Sequence, residues 1–499
     1  MRFILVVLYD FESIGARSLS AALKSAQMDY LTYYFQAIDF NNVLLPSEKA
    51  WEVLLEQLTT YAPDLVGVSV RSPFSGIAHT LTEKVHTQLG KQVIWGGAHA
   101  TIKWAESLKC ADYVCMGEGE QSLVAFLENF KKNRKACLPP GILSRTHSEH
   151  SEIQWINDLD SIDDPLLSHE NSLYQIEEQV YQGDPLLLTE AFEHYGESSL
   201  HEILGSRGCP YKCTYCSAPI LSTNKIRTRS VGRVISEIHR IQNLKNIQRV
   251  TFLDEVFGAK LNWLKELAQV YPREVGLPFT AEIHPELCSD LRVSLYAEAG
   301  LSGVEMGVQS GSERIRHEIM NRPVSQRTII EAINRLHNYG IAVTIDLILD
   351  NPYDTEEDMR ETFNLLLALP RPLSIKTFSL CHLPGTELTN RLLNEGLITP
   401  YDVEDQAFKT HHAWRARMTQ PREKWCQYWT SLILLAAVRE LPDTAGGWLV
   451  TATSQSPILN KFSVKELEKI AGDPLYRLHP EKLHELFVSS IPKSQAELF

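Results

Sequence analysis

Positive charge is what the chain lacks most: 48 Lys and Arg stand against 62 Asp and Glu over 499 residues, a formal net charge of −14. Affinity for nucleic acid comes mainly from clustered cations that neutralise phosphates. The one basic cluster, NKIRTRSVGR at 224–233, is too local to provide such a surface. No nucleic-acid partner is expected. Long apolar runs are missing too. The opening run covers only residues 3–8 before Asp10 and Glu12 interrupt it, and LILLAAV at 432–438 is equally short, so neither a signal peptide nor a membrane span is expected. Cysteine is scarce: there are nine, an odd number with three clustered. That pattern favours free thiols and a metal site over a disulfide frame, and with it a reducing, cytoplasmic compartment.

A hydrophobic content of 44% can fill two or three cores in a chain too long for one ordinary domain. Residues 1–135 alternate Val/Ile-rich runs (RFILVVLY, DLVGVSV, QVIWGG, YVCMGEGE) with helix-like patterns. This predicts a doubly wound, Rossmann-like α/β domain whose ligand lies outside the carboxyl ends of parallel strands. In the loops expected there, Gly96, Gly97, Gly117 and Gly119 let the backbone approach a large ligand closely. Residues 136–195, with CLPPGI, DLDSIDDP and YQGDP, read as a linker. A second α/β series over 196–395 supplies six strands, a partial (β/α)6 barrel with its chemistry at the C-terminal strand ends. Residues 396–499 read as a mainly helical domain.

SRGCPYKCTYC places Cys209, Cys213 and Cys216 on a loop after the first strand of that second series. Three thiolates so spaced can ligate three irons of a cubane cluster, leaving the fourth iron open to substrate or cosubstrate. A zinc knuckle short of one ligand is the alternative. Cys-x3-Cys-x2-Cys with an aromatic, Tyr215, before the last Cys resembles the radical S-adenosylmethionine (SAM) superfamily. The resemblance implies a [4Fe-4S] cluster whose unique iron is chelated by SAM, and it extends over residues 200–390. TFLDEVFG then offers Asp254 and Glu255 near the SAM amino group. TAEIHP offers Glu282, and VEMGVQSGS offers Glu305, Gln309 and Ser310. Such polar groups in apolar strands need a polar partner, which SAM would supply; ordinary hydrogen-bonded barrel residues remain the other reading. Where the superfamily has Gly-x-Pro after its fifth strand, this chain has Asp350, Asn351 and Pro352, which puts a backbone contact to adenine in question.

The front domain, ending in GGAHAT and GEGE and fused before the barrel, resembles that of the cobalamin-dependent radical SAM enzymes. Cobalamin-binding loops with a histidine ligand carry Asp-x-His-x-x-Gly; here Asp10, Glu12 and Gly15 hold the frame with a carboxylate in the histidine slot. A hard carboxylate ill suits low-valent cobalt, so Glu12 is expected to turn to a corrin amide, a backbone N–H or water. The resemblance extends the cobalamin site to Ser69, Arg71, Gly96, Gly97, His99, Gly117, Glu118, Gly119 and Glu120. It places Arg71 beneath the cobalt, a cation that cannot ligate; pairing with a surface carboxylate is the alternative.

The resemblance implies a methyltransferase that methylates an unactivated carbon of a small organic substrate through methylcobalamin and a 5′-deoxyadenosyl radical, fed by a flavodoxin- or ferredoxin-type electron donor. No side-chain acid or base is required beyond the cofactors. Cys381, His382 and Trp414 are candidate substrate contacts. A cobalamin-dependent cyclase or rearrangement enzyme, and a radical SAM enzyme with a vestigial cobalamin domain, are the rivals.

Overall fold

Residues 3–8 are all buried because strand β1 (Arg2–Leu8) is covered on both faces. Ile4, Val6 and Leu8 enter one core cluster, while Phe3, Leu5 and Val7 enter another. Such two-sided burial makes a central parallel strand an unbroken apolar run. The computed structural model describes residues 1–36, 45–132, 137–147, 153, 155–167, 171–182, 200–404, 429, 430 and 433. The chain divides into two compact units, one of Met1–Tyr211, Cys216–Glu255 and His382–His411, the other of Lys212–Tyr215, Val256–Cys381 and His412–Phe499.

In the first unit β1, β2 (Asp29–Phe35), β3 (Leu65–Ser69), β4 (Gln92–Gly96), β5 (Tyr113–Cys115), β6 (Ile142–Ser144), β7 (Ser172–Ile176) and β8 (Gln179–Gln182) form one sheet. Its order is β6-β5-β4-β3-β1-β2-β7-β8. All neighbours are parallel except the antiparallel edge pairs β5/β6 and β7/β8. The direction of winding reverses between β1 and β3, the switch point at which doubly wound sheets open a crevice. Strands β6, β7 and β8 come from the stretch read as a linker. They span three to five residues, too few for a period-two pattern to stand out from the Pro, Asp and Gly around them. Helix Ile14–Ser25 starts directly after the Asp10–Glu12 loop, where Ser13 Oγ accepts the Ala16 N–H at 3.4 Å as an N-cap. This unit also holds β9 (Leu200–Ile203), the short antiparallel pair β10 (Ser206–Arg207) and β11 (Arg227–Thr228), and β12 (Arg249–Phe252), which pairs in parallel with β9.

In the second unit β13 (Phe279–Glu282), β14 (Leu301–Gln309), β15 (Ala342–Leu349) and β16 (Ser374–Ser379) pair successively in parallel. Helices Asp290–Ala299, Gln326–Asn338 and Glu356–Ala368 connect them. These four strands, with β9 and β12 of the first unit, number the six that the sequence predicts. Helix Glu356–Ala368 opens on a capping box between Thr355 and Asp358. Of the C-terminal helical segment, only residues up to 404 and positions 429, 430 and 433 are described, so Trp414 lies outside the described residues. Among the described residues no helix is long and apolar enough to cross a membrane.

Gly311, just after β14, meets helix Glu356–Ala368 backbone to backbone. A Cβ there would lie 2.1 Å from Thr362 Cα and 2.7 Å from Thr362 N. Neither atom can yield as a flexible side chain would. Gly311→Ala is therefore expected to cost about 3 kcal/mol or more by overpacking, read as a large fall in thermal midpoint.

Candidate functional site

A cavity of about 410 Å³ opens in the first unit where the sheet reverses its winding. Phe3 and Leu5 of β1, Gly67 of β3 and Ile94 of β4 line it, with Leu19 from helix Ile14–Ser25 and Leu123 from helix Gly119–Lys131. Glycine shapes its interior. A Cβ on Gly96 would have nothing nearer than Cys115 at 3.8 Å, and one on Gly15 nothing nearer than Ser13 Oγ at 4.0 Å. A longer side chain at either position would thus have the cavity to grow into. Gly97 and Gly117 adopt φ of +94° and +74°, a region that disfavours residues with a Cβ. Of the front-domain candidates, Gly15, Ser69, Gly96, Gly97, Gly117, Glu118, Gly119 and Glu120 border the cavity; Asp10, Glu12, Arg71 and His99 are not among the lining residues.

The cavity's rim is ionic. Glu118 accepts two bonds from Arg227, at 2.7 and 2.9 Å, one from Arg207 at 3.1 Å, and the Ile156 N–H at 2.8 Å. Arg207 also donates to Glu120 at 2.7 Å. Burial alone would raise the Glu118 pKa, but these partners hold it below the usual carboxylate range. An apolar slot with glycine walls and a polar rim fits the nucleotide tail of a corrinoid. Beside it, Arg71 donates to the Tyr9 carbonyl at 3.2 Å, lies 3.7 Å from Asp10 Oδ2 and covers the Phe74 ring. His99 shares a hydrogen bond with Ser72 Oγ at 3.2 Å, and burial lowers its pKa to about 4, so it is neutral at pH 7. Glu12 is exposed.

Cys209, Cys213 and Cys216 are in no disulfide and lie on the segment between β10 and β11. In the first unit, the Gly208 N–H donates to Glu255 Oε2 at 3.2 Å, and Cys216 Sγ accepts the Ala218 N–H at 3.4 Å. In the second, Thr214 is pinned by its N–H to Met320 O at 3.0 Å and by its hydroxyl to Ile319 O at 2.6 Å. Arg322 Nη1 lies 3.7 Å from Cys213 Sγ, a cation suited to a thiolate. Tyr215 sits on the same loop, partly buried. Among the described residues no three His, Cys, Asp or Glu side chains converge on one metal position. A cubane loop needs no such convergence, because each thiolate takes a separate iron. Three cysteines outside any disulfide, one with a guanidinium beside it, are therefore a donor set that fits the cluster.

The polar groups at the strand ends differ in burial and in their partners. Asp254 is 1% exposed and committed inward, accepting the Gly205 N–H at 2.8 Å and the Ser206 hydroxyl. Burial raises its pKa to about 7. Ser310 is equally engaged, accepting the Ser312 N–H at 3.1 Å. Glu282 ends β13 exposed, and Glu305 accepts Lys376 Nζ at 2.5 Å. Gln309 ends β14 at φ +71°. Asp346 of β15, absent from the sequence reading, joins this group. Its Oδ1 is buried with no hydrogen-bond partner among the described residues, and burial, reinforced by Glu305, raises its pKa. Arg322, Lys376 and Asp346 were not legible because each acts across strands and leaves no local motif. Asp350 adopts φ +60° and accepts the Ser379 hydroxyl at 2.7 Å. Asp350 thus takes left-handed backbone at the position where the superfamily pattern has glycine, a conformation Asp tolerates better than most residues. Cys381 is partly buried and His382 buried, both just beyond β16.

Residues 3–127 match the family model of the B12 binding domain, and residues 203–366 match that of the Radical SAM superfamily. The chain belongs to the cobalamin-dependent radical SAM enzymes. As a member of that family it is an enzyme that uses a [4Fe-4S] cluster, SAM and cobalamin. An uncharacterized methyltransferase of Pyrococcus horikoshii is 23% identical over 369 residues, 70% of this chain and 75% of that one. The cytidylyl-2-hydroxyethylphosphonate methyltransferase of Streptomyces wedmorensis is 23% identical over 406 residues, 74% of each chain. The radical SAM methyltransferase TsrM of Kitasatospora setae, solved with tryptophan and a SAM analogue, shares the fold with a TM-score of 0.62 at 17% identity, covering 79% of this chain and 76% of that one.

Filling the glycine-walled slot tests its role. Gly96→Leu is expected to leave the far-ultraviolet circular dichroism unchanged and to weaken retention of cobalamin at least tenfold, followed by absorbance after gel filtration.

Proposed function

We propose that this family member is a cobalamin-dependent methyltransferase that methylates an unactivated carbon of a small organic substrate. The observation that carries the reading is the apolar, glycine-walled cavity at the β1/β3 switch point, in the same chain as the three-thiol loop. The methyltransferases among its relatives support it. When bound, the cluster with SAM supplies radical chemistry and the corrinoid supplies a transferable methyl group.

The chain's own residues hold and orient. Cys209, Cys213 and Cys216 take the cluster, with Arg322 balancing thiolate charge at Cys213. Glu282, Gln309 and Asp346 present polar groups to SAM at the strand ends, while Asp254 and Ser310 act one step back by fixing turns. Gly15, Ser69, Gly96, Gly97 and Gly117 receive the corrinoid tail. Arg71, held by Asp10 and the Tyr9 carbonyl, would stand beside the corrinoid, where a guanidinium could not serve as a ligand. Neutral His99 supports the loop through Ser72. Cys381 and His382 contact substrate. The substrate is a small molecule, the electron donor a flavodoxin or ferredoxin type, and the compartment the reducing cytoplasm.

The test is an anaerobic reaction with candidate substrates, following methylated product, 5′-deoxyadenosine and S-adenosylhomocysteine together. All three are expected; deoxyadenosine without S-adenosylhomocysteine would show ring closure or rearrangement instead. Cys213→Ala is expected to abolish deoxyadenosine formation, at least a hundredfold below wild type, while bound cobalamin stays intact. Normal cleavage in that variant would sink the cluster assignment.

A further inference from the structure

Glu118 belongs to GEGE and borders the cavity, yet both of its oxygens are turned to the protein. Oε1 is shared: it accepts from Arg227 Nη2 at 2.9 Å and from Arg207 Nη1 at 3.1 Å. Oε2 accepts from Arg227 Nη1 at 2.7 Å and from the Ile156 N–H at 2.8 Å. The two arginines are themselves cross-strand partners in the antiparallel pair of β10 and β11. Like charges directly opposite each other destabilise such a pair. Burial sharpens the repulsion, since the Arg207 and Arg227 side chains are 20% and 6% exposed and little water screens them.

Both arginines are held in place by further partners. Arg207 Nη2 donates to Glu120 at 2.7 Å. Arg227 Nη1 also donates to Ile156 O at 2.6 Å, and its guanidinium lies 5.8 Å from the centre of the Trp155 ring. They stay face to face, and the carboxylate between them is what reconciles their charges. This pair is the neck of the segment that carries the three cysteines. The two sides of that segment remain close just beyond it: a Cβ on Gly208 would lie 2.5 Å from Lys225 O and 3.1 Å from Thr223 O. Cys209 is the next residue, so a change in the spacing of the neck reaches a cluster ligand directly.

We propose that Glu118 is a positioning residue for the iron–sulfur cluster: standing between Arg207 and Arg227, it keeps the neck of the cysteine segment closed and so sets how firmly iron is held. The inference rests on the three-cysteine reading of the cluster site. It gives a residue of the front-domain motif a task that acts on the cluster through two arginines.

The experiment uses the full chain, reconstituted anaerobically with iron and sulfide, and reads cluster absorbance and the rate at which iron passes to a chelator, without substrate or turnover. Glu118→Gln keeps the size of the side chain and removes its charge; iron release is expected to be about tenfold faster than in wild type. Adding Arg227→Gln removes one of the two repelling cations and leaves Arg207 its pair with Glu120. The double variant is expected to return to within about threefold of the wild-type rate. A role in packing alone would make the double variant worse than the single one. Circular dichroism confirms folding. Should Glu118→Gln fail to fold, Glu118→Asp carries the test: its shorter arm keeps the charge but does not span both arginines, and faster release than wild type is expected. A wild-type rate in the variant measured, or a double variant that releases iron no more slowly than Glu118→Gln, would overturn the inference. Wild type that takes up no iron would overturn the three-cysteine assignment, and the inference with it.

Discussion

Glu118 answers two arginines at once, and both sides of the first unit's chemistry depend on that arrangement. A carboxylate at 12% side-chain exposure is costly to bury alone, but four donors from Arg207, Arg227 and Ile156 surround it. Losing one partner of such a buried pair typically costs about 3–5 kcal/mol, because the other charge stays behind. The flanking Gly117 turns the chain so that Glu118 reaches this position, and Gly119 starts the helix that forms one side of the cavity. The cavity rim and the ends of the cysteine loop are thus held by the same carboxylate.

The two regions proposed for cofactors use opposite physics. The cavity of the first unit is apolar and shaped by missing side chains, so a ligand there would be selected by volume and by the few polar groups on its rim. The strand ends of the second unit are polar and carry opposed charges: Glu305 leans on Lys376, and Asp346 has its ionisation suppressed by burial and by Glu305. Ligands there must bring hydrogen-bond donors or positive charge to be accommodated. In the turn after β15, Asp350 occupies the left-handed conformation and fastens it through Ser379.

What the sequence made legible was local. The doubly buried β1, the glycines of GGAHAT and GEGE, and the cysteine spacing each leave a mark within a dozen residues. What it hid was nonlocal or short. The Arg227–Glu118 pair joins positions 109 apart in the chain, and no periodicity records such a contact. Strands β6 to β8 hid among Pro, Asp and Gly because edge strands of three to five residues are too short to alternate visibly. Asp254 was legible as a polar residue at a strand end, but its bonds were not: its two oxygens accept from the Gly205 N–H and the Ser206 hydroxyl. Arg71 shows a guanidinium occupied by Asp10 and the Tyr9 carbonyl, a geometry that suits the surface-carboxylate alternative as well as a place under cobalt.

Arg207 and Arg227 stand at the two ends of the segment that carries all three cysteines, and both are fastened to Glu118. The segment is therefore a closed ring before any iron arrives. Closing a loop of this length is an entropic cost that grows slowly with length and is met when the ends are tied. If the three thiols take iron as proposed, metal assembly has only the interior of the ring to order, and the thiols act as a partly preformed chelate rather than three independent ligands.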